Sequence, residues 1–113
     1  MILHAISIKE PWASMIAQGE KTIEVRTWKT NIRGQIILCA SANPKSDISG
    51  KAFALAEIVE VRKMKSCDKK YSGGVYSPEC FSWVLKNIKR FEPFPIKGKL
   101  GFYKIDTIKR QAI

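Results

Sequence analysis

Histidine and paired cysteines are scarce in this 113-residue sequence, which contains one histidine and three cysteines. The cysteines are Cys39, Cys67 and Cys80, and no two of them form a C-x-x-C pair, whereas zinc sites are usually built from closely spaced Cys and His ligands. A Ser-His-Asp or Cys-His catalytic site would have to use His4, which lies in a strand pattern typical of packing residues. We therefore expect no metal, no cofactor and a half-buried His4.

Long hydrophobic runs are also missing. The apolar residues at the start of the sequence give way to Lys9 and Glu10, so the sequence predicts neither a signal peptide nor a membrane span. On this basis we expect a cytoplasmic protein with reduced cysteines. The length predicts a single domain, residues 1–113, with one hydrophobic core, and no internal repeat is visible.

Acidic residues are rare in the second half of the chain. Residues 1–61 contain seven Lys or Arg against six acids, whereas residues 62–113 contain thirteen against four, so most of the net charge of +10 lies there. Such an excess usually indicates a polyanionic partner, most often RNA or DNA. The alternative is that the lysines only keep the protein in solution. An anionic membrane is disfavoured because no long basic amphipathic helix is predicted.

Residues 62–76 form the most basic and glycine-rich loop of the prediction. The segment contains five Lys or Arg, Tyr71 and Tyr76, and a Gly73-Gly74 pair. Basic and aromatic residues interleaved in a flexible loop are typical of single-stranded nucleic-acid binding, in which the charges meet phosphates and the rings meet bases. A solvated surface loop explains the same composition, and the sequence leaves both alternatives open.

The most informative stretch is residues 19–26, GEKTIEVR. Ile23 and Val25 occupy every second position, which predicts a strand. Because successive side chains on a strand point to opposite faces, the other face is predicted to be polar. That face carries Thr22, Glu24, Arg26 and Trp28. Lys21 has the opposite phase, but it follows Gly19 at the start of the strand, where alternation need not hold, so its direction is left open.

The rest of the chain reads as a series of short elements. Residues 2–8 are predicted to form a strand with apolar residues on both faces, which favours a central position in the sheet. Pro11 and Gly19 fit the start and end of a two-turn helix. Strands are also predicted at 36–40, 52–61 and 100–105, a helix at 77–88 and a stiff extended edge at 91–99. The last strand is expected to pair with the first, and long strands joined by turns favour a closed or nearly closed barrel.

Three further residues are candidates for ligand contacts. Trp12 lies on the apolar stripe of the first helix, so we interpret it first as a core residue and second as a stacking platform. Trp83 lies off the apolar stripe of the helix predicted at 77–88, which makes it a candidate for a surface or pocket contact. Ser41 belongs to a segment of small and polar residues at a strand end, where a ligand can approach the backbone closely.

With these features in place, the sequence resembles the ASCH domain family. The resemblance depends on the pattern G-x-K-x-x-E-x-R, which is met by Gly19, Lys21, Glu24 and Arg26. Supporting features occur in the same order along the chain: Pro11-Trp12, Arg33-Gly34, Ala40-Ser41 and the G-K-x-G segment 98–102. The resemblance implies an α+β fold, a small PUA-like β-barrel of about five to six mostly antiparallel strands with two or three short helices.

The resemblance implies, as the first alternative, a nucleic-acid-binding domain that prefers RNA and recognises a single-stranded or modified base. A modified nucleoside is a further candidate ligand. The basic second half would hold the phosphates. The residues expected to bind the ligand are Trp12, Lys21, Thr22, Glu24, Arg26, Trp28, Ser41 and Trp83. A protein-interaction module, as in coactivators, is a further alternative that the family allows.

An enzyme is the other alternative, with Lys21 and Glu24 as catalytic residues of a small hydrolase acting on RNA or nucleosides. A desolvated lysine would act as the base while Glu24 and Arg26 orient the substrate. One branch of the family hydrolyses N4-acetylcytidine with a Lys, a Thr and a distant Glu, and another is linked to RNA cleavage. This chain has Glu24 where the first branch has its threonine, and Glu79 is the candidate for the distant acid. A structural Glu24–Arg26 ion pair would explain the same residues without catalysis.

Overall fold

Seven β-strands lie in one mixed sheet in the computed structural model, which describes residues 1–113. In chain order the elements are β1 (Ile2–Ile8), α1 (Trp12–Ala17), β2 (Ile23–Arg26), β3 (Gly34–Ala40), β4 (Lys51–Lys63), a 3-10 helix (Ser66–Tyr71), β5 (Phe81–Pro95), β6 (Phe102–Asp106) and β7 (Gln111–Ala112). The strand order across the sheet is β2-β5-β4-β3-β1-β6-β7. Neither helix has the length and apolar character that a membrane span requires.

The strand β1 lies in the interior of the sheet, as its two apolar faces predict. It pairs in parallel with β3 and antiparallel with β6, and these neighbours satisfy its backbone groups on both sides. Ile6 and Ile8 pack into the larger hydrophobic cluster on one face, while Ala5 packs into the smaller cluster on the other face. His4 is half-buried and lies edge-on to Phe102 with ring centroids 6.0 Å apart, which confirms its prediction as a packing residue.

The α+β class and the mostly antiparallel pairing are confirmed, but the prediction of a closed barrel is wrong. Every pairing except β1 with β3 is antiparallel. Seven strands are present rather than five or six, and β2 and β7 remain as the two edges of an open sheet. Side chains join the β2 end to the middle of the sheet instead: Arg26 Nη2 donates to the carbonyl oxygen of Ser7, at 2.9 Å. This side-chain contact bridges the space between the end of β1 and β2, which no backbone ladder crosses.

The prediction of a helix at residues 77–88 is also wrong, because the chain from Phe81 onward forms the long strand β5. Phe81, Val84, Leu85 and Ile88 have helical spacing in the sequence, yet β5 pairs with β4 along almost its whole length. Three register shifts interrupt that pairing and break the strict alternation of faces, which is why the period-two signal of a strand is absent. Non-local pairing with β4 therefore overrides a local helical pattern.

The two prolines at the end of β5 are compatible with a strand because that part of β5 is an edge. β2 covers β5 only from Phe81 to Val84, so the rest of β5 has β4 on one side and no strand on the other. Pro93 and Pro95 lie in this uncovered part, where a missing N–H costs no ladder hydrogen bond. The extended edge predicted at 91–99 is thus confirmed as far as Pro95, as the continuation of β5.

Candidate functional site

A cavity of about 440 Å³ opens in the space between the end of β1 and β2. The N-terminal residue of α1 and two loops, one before β5 and one before β6, complete its wall. The lining residues are Ser7, Ile8, Lys9, Trp12, Lys21, Glu24, Val25, Arg26, Thr27, Ser41, Val75, Cys80, Lys99, Leu100 and Gly101. The cavity thus occupies space that no strand ladder crosses between β1 and β2.

Three charged residues at the start and along β2 form a connected chain in this cavity. Lys21 Nζ lies 3.4 Å from Glu24 Oε1, and Arg26 Nη2 lies 2.9 Å from Glu24 Oε2. Arg26 Nε also donates to Glu24 Oε2, at 3.0 Å. Glu24 is therefore held between two cations with each carboxylate oxygen facing one of them, and its orientation is fixed before any ligand arrives.

Lys21 is buried, with an exposed fraction of 1%. Its ammonium donates to the carbonyl oxygens of Ile23, at 2.6 Å, and Ser72, at 2.9 Å. Together with Glu24 these acceptors match the three protons of an ammonium. Burial lowers the pKa of Lys21 from its ordinary value, while the neighbouring Glu24 carboxylate opposes that shift.

The inward direction of Lys21, which the sequence left open, follows from the chain geometry just before β2. Gly19 ends the turn after α1 with φ of +82°, a conformation that glycine adopts without strain. The backbone N–H groups of Glu20 and Lys21 both donate to the carbonyl oxygen of Met15. Lys21 therefore precedes the regular strand, and strand alternation does not decide where its side chain points.

Arg26 has donor groups to spare at the cavity. Its Nε and Nη2 are engaged by Glu24 and by the Ser7 carbonyl oxygen, while Nη1 makes no hydrogen bond within the protein. The guanidinium carbon lies 5.9 Å from the ring centroid of Trp83, a cation–π distance that restrains the group further. The two Nη1 protons are thus positioned to bind an acceptor atom of a ligand.

The charge of the cavity is strongly positive. Lys9, Lys21, Arg26 and Lys99 line it, and Glu24 is the single carboxylate. Lys9 and Lys99 are exposed, so their charges are available at the mouth. In a partly enclosed site, cationic side chains of this kind concentrate anionic ligands and speed their association.

Trp12 lines the cavity and also packs against the larger hydrophobic cluster, so the two interpretations of this residue do not exclude each other. Its ring is held in place by Gly73, where an added Cβ would lie 3.0 Å from Trp12 Cδ1. Only glycine can approach the indole so closely with φ of +78°. The ring therefore presents a restrained apolar surface beside the charged residues of β2.

The loop that carries Gly73 is itself anchored by a buried carboxylate, so the segment predicted to be flexible contains an ordered 3-10 helix. Asp68 is 2% exposed and accepts a bidentate pair from Arg62, one bond measuring 2.8 Å. It also accepts from Ser82 Oγ and from the backbone N–H of Lys65. The hydrogen bonds from Arg62 hold the pKa of Asp68 well below its usual range. This network fixes the loop that supplies the Ser72 carbonyl oxygen to Lys21 and Val75 to the cavity wall.

Five of the eight predicted ligand residues come together in the cavity and three do not. Trp12, Lys21, Glu24, Arg26 and Ser41 line it, including both candidates for catalysis. The other three are Thr22, Trp28 and Trp83. Thr22 uses its backbone groups to join the 3-10 helix and β5. Glu79, the candidate for a distant acid, is exposed and outside the lining.

Trp83 is 0% exposed, contrary to its interpretation as a surface residue. The correction follows from the secondary structure, because the argument that placed it off an apolar stripe assumed a helix. Its indole Nε1 donates to the carbonyl oxygen of Trp28, and the two rings meet edge-on with centroids 4.8 Å apart. Trp83 also stacks on Phe102, which brings β5 into contact with β6. Both tryptophans thus belong to an aromatic cluster outside the cavity lining.

Sequence reasoning missed the far wall of the cavity. Ser7 and Lys9 come from the end of β1, a strand that the sequence predicts, but no pattern placed that strand beside β2. Cys80 lies within the helix predicted at 77–88, but in the structure it is half-buried in the turn before β5 and lines the cavity. Lys99 and Leu100 come from a loop almost 75 residues away from β2, and only the pairing of β6 with β1 brings them here.

Comparison with known proteins identifies a family and two relatives. The family model described as the ASCH domain matches residues 6–95. Activating signal cointegrator 1 of Homo sapiens and its namesake in Mus musculus are each 23% identical to this chain over 128 residues. Each alignment covers 90% of this chain but 22% of the relative, so the chain spans less than a quarter of the length of these proteins.

Proposed function

This chain belongs to the ASCH domain family, and on that premise we propose that it binds single-stranded RNA by taking one nucleotide into the cavity between β1 and β2. The observation that carries the proposal is the lining of four cations and one oriented carboxylate beside a restrained tryptophan. An RNA nucleotide offers a phosphate, a flat base and polar base edges, and each of these has a counterpart in the cavity.

The oriented groups of β2 suit the edge of a base. Arg26 Nη1 offers two donors, and Glu24 keeps acceptor capacity beyond its bonds to Lys21 and Arg26. A neighbouring donor and acceptor can together recognise the hydrogen-bonding edge of an unpaired base. The cavity volume lies within the range of roughly 300–1,000 Å³ found for small-ligand pockets, which supports a nucleotide rather than a folded partner as the occupant.

The exposed cations at the mouth suit phosphate. Lys9 and Lys99 flank the opening from β1 and from the loop before β6. Contacts between lysines and phosphates release counterions, so affinity for single-stranded RNA should fall with salt by a slope of about −0.7 per phosphate contact. The proposal therefore predicts a salt dependence as well as an affinity.

The test is fluorescence anisotropy of a labelled single-stranded RNA, titrated with protein at several salt concentrations. Lys9→Gln removes a charge at the mouth and should lower the affinity and make the salt slope shallower by about 0.7. Lys104→Gln is the matched control, because Lys104 is an exposed strand lysine outside the cavity lining. Equal effects of the two variants, or RNA binding without salt dependence, would contradict the proposal.

The hydrolase alternative has one observation in its favour, the lowered pKa of Lys21. A lysine acting as base must lose a proton, yet its ammonium already faces two carbonyl oxygens and a carboxylate that stabilise the charged form. The geometry therefore favours binding over proton transfer. Release of acetate from N4-acetylcytidine, or RNA nicking, that disappears in Lys21→Ala while the variant stays folded would reverse this preference.

A further inference from the structure

Two more concavities adjoin the cavity between β1 and β2, and the three share lining residues. The second, of about 390 Å³, shares Ser7, Ser41, Lys99 and Leu100 with the first. The third, of about 360 Å³, shares Ile96 and Lys99 with the second. Lys99 lines all three. The concavities therefore follow one another along the surface in a single path.

We propose that this path is one groove that holds successive nucleotides of single-stranded RNA, with one base in the first cavity and the next units over Lys99 towards Arg110. The inference rests on the proposed function and extends it from one nucleotide to a strand with a defined course. The ligand class is accordingly an oligonucleotide, whereas a free nucleoside or nucleotide would fill only the first position.

The charge along the groove fits a phosphate backbone. Neither the second nor the third concavity has an Asp or Glu in its lining, while the third is bordered by Lys97, Lys99 and Arg110. Two of these cations are held in place: Arg110 lies over the ring of Phe94 at 5.5 Å, and Lys99 Nζ donates to the carbonyl oxygen of Ile113 at 2.8 Å. Positioned cations with no Asp or Glu in the same lining are what a polyanion requires.

The second concavity has the shape that a sugar-phosphate backbone needs. Four of its lining residues are the small Ala40, Ala42, Gly50 and Gly98, which leaves room for a ligand on that side of the concavity. At Gly50 an added Cβ would meet no atom within 4 Å, so the space beside the backbone is open there. A ligand can therefore contact backbone atoms directly at this position.

Leu100 supplies an apolar surface at the junction of the first two concavities. It is 100% exposed and is followed by Gly101, with φ of +65°. A leucine held wholly in water at the border of two cavities has no packing role in the free protein. Contact with the flat face of a base would remove its apolar surface from water, and this position lies between the first and second nucleotides of the proposed strand.

The experiment compares RNA oligonucleotides of one to six nucleotides, bound to the full chain and followed by amide shifts in 1H–15N NMR and by anisotropy. Affinity should rise steeply with length over the first few nucleotides and then level off. The variant Lys97→Gln/Arg110→Gln should reduce the ratio of hexanucleotide to mononucleotide affinity and make the salt slope for the hexanucleotide shallower by about 1.4, which corresponds to two phosphate contacts. A duplex of the same sequence should compete poorly, because its bases are stacked and paired.

A matched control and a second variant keep the test independent of overall charge. Lys86→Gln/Lys89→Gln removes the same charge from exposed positions on β5 that line none of the three concavities, and it should leave the affinity ratio unchanged. Ala42→Trp, at an exposed position, fills the second concavity without touching the core and should remove most of the gain in affinity beyond one nucleotide.

The outcomes separate this inference from the function on which it rests. If mononucleotide and hexanucleotide bind equally, or if both double variants weaken the hexanucleotide alike, the groove is refuted while nucleotide binding in the first cavity stands. If RNA of no length binds, both the proposed function and the groove are refuted.

Discussion

Glu24→Gln should destabilise the fold far more than the loss of an exposed ion pair with the same separation would. The substitution keeps the size of the side chain but removes the negative charge between Lys21 and Arg26. Lys21 Nζ lies 3.4 Å from Glu24 Oε1, and the two side chains are 2% and 9% exposed. After the change the buried ammonium keeps its two carbonyl acceptors and loses its counter-charge.

The magnitude follows from the surroundings of the pair. At 3.4 Å and an effective dielectric constant of about 20, the attraction between unit charges is about 5 kcal/mol, against about 1 kcal/mol in bulk water. Breaking a buried pair by removing one partner typically costs about 3–5 kcal/mol, because the remaining charge is left without compensation. We expect a loss of that size in the free energy of unfolding, and a Tm lower by more than about 10 °C.

The assay is urea unfolding at neutral pH followed by circular dichroism, and the chain contains a matched control. Arg62 Nε lies 3.4 Å from Glu60 Oε1, the same separation, but the Glu60 side chain is 55% exposed. Glu60→Gln should therefore cost less than about 1 kcal/mol. A Glu24→Gln loss as small as the control's would refute the argument that burial makes the Lys21–Glu24–Arg26 chain a structural requirement of the site.

Two further predictions concern the buried side chains of Asp68 and Lys21. Asp68→Asn should lower the free energy of unfolding by about 1.5–3 kcal/mol, because the buried carboxylate loses its charged hydrogen bonds while Arg62, 25% exposed, keeps water and Glu60 as partners. The pKa of Asp68 is lowered on folding, so the difference from wild type in urea unfolding should be constant near neutral pH and shrink below about pH 4. A difference that stays constant below about pH 4 would contradict this prediction. The pKa of Lys21 is lowered in the folded state, so at high pH the unfolded chain binds the proton of this lysine more tightly than the folded chain does. The free energy of unfolding of wild type relative to Lys21→Met should therefore rise as the pH approaches 10.5. A flat or falling difference would show that the lysine titrates normally.

The burial of Lys21 connects these stability arguments to the site. Its ammonium joins the start of β2 to the loop around Ser72, and Glu24 passes that constraint on to Arg26. The free donors of Arg26 Nη1 are consequently held by Glu24 and, through Glu24, by the buried Lys21. A site organised in this way loses little conformational freedom when a ligand binds.

Local pattern was sufficient for the elements whose neighbours lie close along the chain. The alternation of Ile23 and Val25 predicts β2 and places Glu24 and Arg26 on one face, and Pro11 and Gly19 delimit the first helical turns. The two apolar faces of residues 2–8 place β1 inside the sheet. In each case the side chains repeat with the period of the element, so short-range information determines the structure.

Tertiary structure decided the features that depend on pairing between distant segments. Phe81 to Ile88 have helical spacing, yet the bulged ladder with β4 makes them a strand and buries Trp83. The cavity opens beside the unpaired edge of β2, and Lys99 reaches it only because β6 pairs with β1. By itself the sequence determined which charged groups β2 carries. The pairing of strands that are distant along the chain decided which residues lie opposite those groups, because the energy of such pairing cannot be read from a short stretch of sequence.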